Sequence, residues 1–128
     1  MKIEATYGTL LVWRDNCAEI LEEYETQTGL PMELEWAVLY NFKQFEKALQ
    51  KYHSLQSGLV NRYGTLQTDG TYAIDETSEQ AVTLYNEAVK QLDGKFAKVN
   101  MERINHKCLR GFKGIGINTM SLLAFMVD

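Results

Sequence analysis

The sequence is short of the residues that staple or punctuate a chain. Among 128 residues there is one proline, Pro31, and there are two cysteines, Cys17 and Cys108. Two cysteines are too few for a disulfide scaffold, and nine glycines without a period exclude a collagen-like chain. No apolar run approaches the ~18 residues of a membrane span. The opening MKIEATYGTL holds no apolar stretch of the secretory kind, so a chain in the reducing cytoplasm with free thiols is expected. A basic surplus is missing too. The net charge is −4, the wrong sign for a nonspecific phosphate binder, so nucleic acid is not the expected partner.

What is present is the composition of a folded protein. Hydrophobic residues at 45% and charged residues at 23% argue against disorder. No linker or repeat interrupts the chain, which points to a single domain over 1–128. The charge is unevenly placed. Residues 95–128 carry +4 and residues 1–94 carry −8. Such a chain can neutralise itself, with the basic end packed on acidic helices, or can offer a basic face to an acidic partner.

Periodicity gives the elements. Ile3 and Ala5 alternate with polar residues, suiting a short strand over Lys2–Thr6. Leu10, Trp13, Cys17, Ile20, Leu21 and Tyr24 recur at helical spacing, predicting a helix from about Thr9 to Thr28 with Arg14 and the glutamates on its wet side. Gly29 and Pro31 stop it. From Met32 to Tyr63 the apolar residues Val38, Phe42, Phe45, Leu49, Tyr52, Leu59 and Tyr63 form a heptad-like stripe. Thirty residues make a rod of about 45 Å. Such a rod suits the spine of an antiparallel helical hairpin or an oligomer seam. Gly64 ends it, and Asp69-Gly70 marks a hairpin turn between Leu66 and Tyr72. The cluster Asp75–Ser78 caps a further helix to Leu92, with Ala81, Val82, Tyr85, Ala88 and Val89 on its apolar face. Phe96–Ile104 reads as extended, and 109–117 as irregular strand bent by Gly111, Gly114 and Gly116. Asn118 or Thr119 then caps a short apolar helix over 120–127.

The fold class expected is α+β, predominantly α-helical. It comprises a long antiparallel helical hairpin, a short N-terminal helix, a small β element and a short C-terminal helix.

Motifs for chemistry are few. Cys17, His53, His106 and Cys108 hold zinc-ligand chemistry without zinc-ligand spacing, and a Cys108–His dyad lacks an orienting group. Gly111–Gly116 follows neither common phosphate-loop order. Glu19, Glu22, Glu23, Glu33 and Glu35 lack the Glu-x-x-His pairs of a carboxylate metal site and read as a solvated face. The sequence calls for no catalytic residue, metal or cofactor. Trp13, Trp36, Tyr40 and Phe42 gather at the junction of the first two helices. Core packing explains most of them, and exposed anchors for a partner are the alternative. The candidate partner-binding residues are Trp36 and Tyr40 with the basic Arg103, Lys107, Arg110 and Lys113.

Leu30-Pro31, the Phe42–Leu59 stripe, Tyr63-Gly64, Asp69-Gly70, the Ala81–Leu92 helix and Ser121-Leu122-Leu123 follow a recognisable order. That order resembles a class of small proteins encoded by bacteriophages and prophages. The resemblance carries no catalytic residues. It implies a viral protein in the cytoplasm of a bacterial host that works by binding a host or phage protein. Inhibition of a defence or regulatory factor is the leading expectation. The alternatives are a virion or assembly component that self-associates through its long helix, and a protein that sequesters a small molecule or nucleotide at the segment 103–118.

Overall fold

The computed structural model describes residues 1–25, 31–109 and 117–127. The architecture is mostly helical, with two small antiparallel sheets. Strand β1 (Lys2–Thr6) runs without a loop into helix α1 (Tyr7–Glu25). The helix starts two residues before Thr9 because Thr6 caps it: the Thr6 hydroxyl accepts the Thr9 amide at 3.1 Å.

Helix α2 (Met32–Tyr63) spans the range its periodicity predicts. Gly64 follows, and here the residue is required by crowding. A Cβ at Gly64 would run into the carbonyl oxygens of Val60 and Ala73. Strands β2 (Thr65–Leu66) and β3 (Tyr72–Ala73) form the second sheet. Gly70 at φ 86° turns between them, and the Asp69 carboxylate accepts the Thr71 amide and hydroxyl at 3.0 and 2.6 Å. Helix α3 (Glu79–Asp93) starts at Ser78, whose side chain accepts the Ala81 amide.

Strand β4 (Phe96–Asn100) returns antiparallel to β1, with Lys2 opposite Asn100 and Thr6 opposite Phe96. The extended stretch is shorter than predicted. Beyond Asn100 the Met101 amide still donates to the Met1 carbonyl, and Ile104 is bridged in parallel to Val127. A 3-10 turn covers His106–Leu109. Helix α4 covers Ile117–Leu123, and a second 3-10 turn covers Ala124–Met126. Asn118 and Thr119 are therefore inside α4, not before it. Thr119 is buried and donates from its hydroxyl to the Glu23 carboxylate at 3.3 Å.

The core lies where α1, α2 and the ribbon β1–β4 meet. Leu10, Cys17 and Ile20 of α1 face Leu34, Val38, Phe45 and Leu49 of α2, all fully or almost fully buried. Leu92, Val99, Met101, Leu123 and Met126 close the remaining sides. Trp13 joins this core, stacked on Phe125 at 5.1 Å and tilted against Phe45 at 5.9 Å. The Tyr24 side chain is outside the described ones. Arg14 does not face water freely: it reaches across to α2, near Glu46 at 3.6 Å and His53 at 3.4 Å. The heptad stripe of α2 is thus largely spent inside the chain. Burial also pushes the Cys17 thiol up to about 12, which leaves it unreactive at neutral pH.

Tyr52 ties α2 to the end of α3. Its ring is buried against Tyr7, and its hydroxyl donates to the Asp93 carboxylate at 2.6 Å. Burial first, and then the Asp93 hydrogen bond and charge, raise its pKa from 10.0 to about 12. The folded state therefore favours the neutral phenol. That contribution is complete below the unfolded value and is lost as pH rises through the folded one. Tyr52→Phe should cost about 1–3 kcal/mol in urea unfolding at neutral pH. The gap between the two proteins should narrow as pH rises from 10.0 toward about 12. A gap that stays constant over that range contradicts the assignment.

Candidate functional site

The first turns of α2 leave a large apolar surface in water. Met32 is 84% exposed and Trp36 is 57% exposed. Tyr40, one turn on, stacks on Trp36 with ring centres 5.3 Å apart and planes 18° apart. Spacing of four residues puts both rings on one helical face. Pairing holds the indole in a fixed orientation while leaving its outer surface open.

Beside this pair is an open groove of about 420 Å³. One wall is Met32, Glu33, Trp36 and Ala37 of α2, and the other is the chain Glu102–Asn105 that follows β4. The surface inside is mostly apolar, with the charged groups of Glu33, Glu102 and Arg103 beside it. Its shape depends on the second wall, which has no regular structure of its own.

That wall is held by Asn41. The side chain is wholly buried in the third turn of α2. Its Nδ2 donates to the Glu102 carbonyl at 2.9 Å, and its Oδ1 accepts the Glu102 amide at 2.8 Å. One primary amide thus satisfies both backbone groups of one residue, as a neighbouring strand would. The next link is the Ile104 amide, which donates to the Met126 carbonyl at 2.9 Å. Met126 Sδ lies 3.6 Å from Asn41 Nδ2, so the C-terminal turn closes on the same point.

The chain matches no family model, no curated protein and no solved structure.

The candidate residues separate clearly. Trp36 and Arg103 meet at the groove, and Tyr40 supports Trp36. Lys107 is exposed in the 3-10 turn beyond it, where its amide donates to the Asn105 side chain at 2.9 Å. Arg110 and Lys113 lie outside the described residues, as does Gly111–Gly116. The four aromatic residues grouped at the helix junction divide into Trp13 and Phe42, packed with the core, and Trp36 and Tyr40, which turn outward. Among the described residues no group of three His, Cys, Asp or Glu side chains is placed to hold a metal ion. Nor is any described helix long and apolar enough to cross a membrane.

Met32, Asn41 and Glu102 are the residues of the candidate site that sequence reasoning misses. Asn41 did leave a signal. It is the only polar residue between Trp36 and Phe42, in a stretch that otherwise reads as core.

Asn41→Ala should leave the Glu102 amide and carbonyl without partners and destabilise the fold by on the order of 2–4 kcal/mol in chemical denaturation. Tryptophan fluorescence should shift to the red as the wall beside Trp36 loosens. A loss below ~0.5 kcal/mol would mean that water replaces the amide at no cost.

Proposed function

We propose that this chain is a non-enzymatic protein-binding module that grips a host or phage protein at the Trp36 groove. The observation that carries the reading is the exposed Trp36–Tyr40 stack beside a ready-made, mostly apolar groove with Arg103 on its rim. A half-exposed tryptophan leaves a large apolar area in water, and covering it is worth a few kcal/mol at about 25 cal/mol per Å². Tryptophan, tyrosine and arginine around a preformed pocket are the residue types that dominate binding hot spots. In this reading α2 and α3 are the arms of an antiparallel hairpin, which the Tyr52–Asp93 bond supports. The arms hold the groove rigid, and the target is a bacterial defence or regulatory factor that is inhibited when bound.

Self-association through the α2 stripe has less support, because Val38, Phe45, Leu49 and Tyr52 are already buried in the chain's own core. Sequestration of a small ligand keeps one supporting fact: about 420 Å³ lies in the range of small-molecule sites.

Tagged wild-type protein, Trp36→Ala and Leu84→Ala should be compared in affinity capture from bacterial lysate. Leu84 is a similarly exposed apolar residue on α3. The expected result is one chain in equimolar complex with wild type and Leu84→Ala, weakened at least about 30-fold by Trp36→Ala, with Tm little changed. Equal capture by Trp36→Ala overturns the site. Failure of wild type to hold any protein overturns the function.

A further inference from the structure

A second groove, farther along α2, has a different character. It holds about 490 Å³ between β4 and α2. Four lysines line it: Lys2 of β1, Lys47 and Lys51 of α2, and Lys98 of β4. Among the described residues no carboxylate does, in a chain of net charge −4. All four lysines are exposed, and among the described residues none is in an ion pair. The nearest acidic residue in the ribbon is Glu4, which stands opposite Lys98 in the register. Lys47 and Lys51 are one helical turn apart, so both ammonium groups can reach the same ligand. Lys98, from the basic end of the chain, is thus gathered with three other cations.

The wall formed by β4 is a free strand edge. The Met101 amide donates to the Met1 carbonyl at 2.8 Å and the Tyr7 amide to the Lys95 carbonyl at 2.9 Å. Alternate residues of an antiparallel strand turn their backbone groups to opposite edges. Residues 95, 97, 99 and 101 thus face β1, and Phe96, Lys98 and Asn100 turn their amides and carbonyls away from it. Among the described residues these three form no backbone hydrogen bond beyond the ribbon. An unpaired edge of this kind is a template for another strand, which would sit ~4.8 Å away.

We infer that an extended acidic segment of a partner protein binds here as a third strand on β4, its carboxylates taken by Lys2, Lys47, Lys51 and Lys98. Strand addition supplies affinity through the main chain, and the flanking side chains supply selectivity. Phe96, 65% exposed at the end of the groove, offers an apolar contact to a side chain between the acidic ones. A nucleic acid fits less well, because phosphates accept hydrogen bonds and would leave the three outward carbonyls without donors. A second copy of this chain fits less well too. Its Glu19, Glu22 and Glu23 are locked in α1, and its Asp75 is tied into a turn by the Thr77 amide and hydroxyl at 3.0 and 2.6 Å.

The probe is a fluorescein-labelled peptide of alternating Glu and Val, titrated into the full chain and followed by anisotropy. The expected result is saturable binding that weakens with salt. It should fall at least about tenfold in Lys47→Glu/Lys51→Glu, whose far-UV spectrum and Tm confirm the fold. N-methylation of alternate peptide residues should abolish it. The amides of Phe96, Lys98 and Asn100 should gain protection from exchange when the peptide binds. Trp36→Ala should bind the peptide normally, which separates this surface from the first groove. Any of three results overturns the inference: no binding at millimolar peptide, undiminished binding of the N-methylated peptide, or tighter binding of a thymidine oligonucleotide of equal charge. A dimer dissociated by the lysine reversals also overturns it, by placing a second copy in the groove.

Discussion

The structure depends on one buried amide. Asn41 sits in the third turn of α2, on a face otherwise given to apolar residues, and holds both backbone groups of Glu102. Leaving a primary amide dry and unpaired costs several kcal/mol, so the helix cannot bury Asn41 unless the chain after β4 comes to it. The requirement works in both directions. Glu102 lies just past a strand, where its own amide and carbonyl have no ladder to join. Each side solves the other's problem, and a segment without regular structure acquires a fixed position. The bond from Ile104 to Met126 then passes that position on to the C-terminal turn.

From this constraint the surfaces follow. Helix α2 is a spine of 32 residues, or about 48 Å. Helix α1 covers one side of it, with Trp13 against Phe45 and Tyr7 against Tyr52. Toward its far end, Tyr52 meets α3 through Asp93. What α1 and α3 leave uncovered is occupied by the ribbon and by the segment that Asn41 holds. The gap between the spine and that segment is the Trp36 groove, and the gap between the spine and β4 is the lysine groove. The two differ in chemistry because one is walled by Met32 and Trp36, and the other by Lys47 and Lys51. Asn41 fixes the Glu102 wall of the first groove, so a change at Asn41 alters the shape of that groove from outside its lining.

Local physics made much of this fold legible. The α2 range follows from a stripe repeated over four heptads, the Asp69-Gly70 turn from glycine's access to positive φ, and the α3 start from Ser78. Readings failed where the deciding partner was distant in sequence. Thr119 resembles a cap, but its hydroxyl goes to Glu23 on α1. The extended stretch expected to reach Ile104 ends as a strand at Asn100, because its partner β1 is five residues long. The site was legible in part for the same reason. Trp36 and Tyr40 announce themselves as aromatics at helical spacing, and Arg103 as a charge beside apolar residues. Asn41 and Glu102, 61 positions apart, show their relation only when the chain is folded.

The most direct test of this account is amide hydrogen exchange at Glu102, read by NMR on the intact protein. The clamp predicts that the Glu102 amide, although it lies outside any strand or helix, exchanges as slowly as the amides of the α2 interior. It also predicts that this protection disappears in Asn41→Ala while the α2 amides nearest Phe45 lose only what the lower global stability takes from them. Exchange of Glu102 at the intrinsic rate of an open loop in the wild-type protein would contradict the central claim.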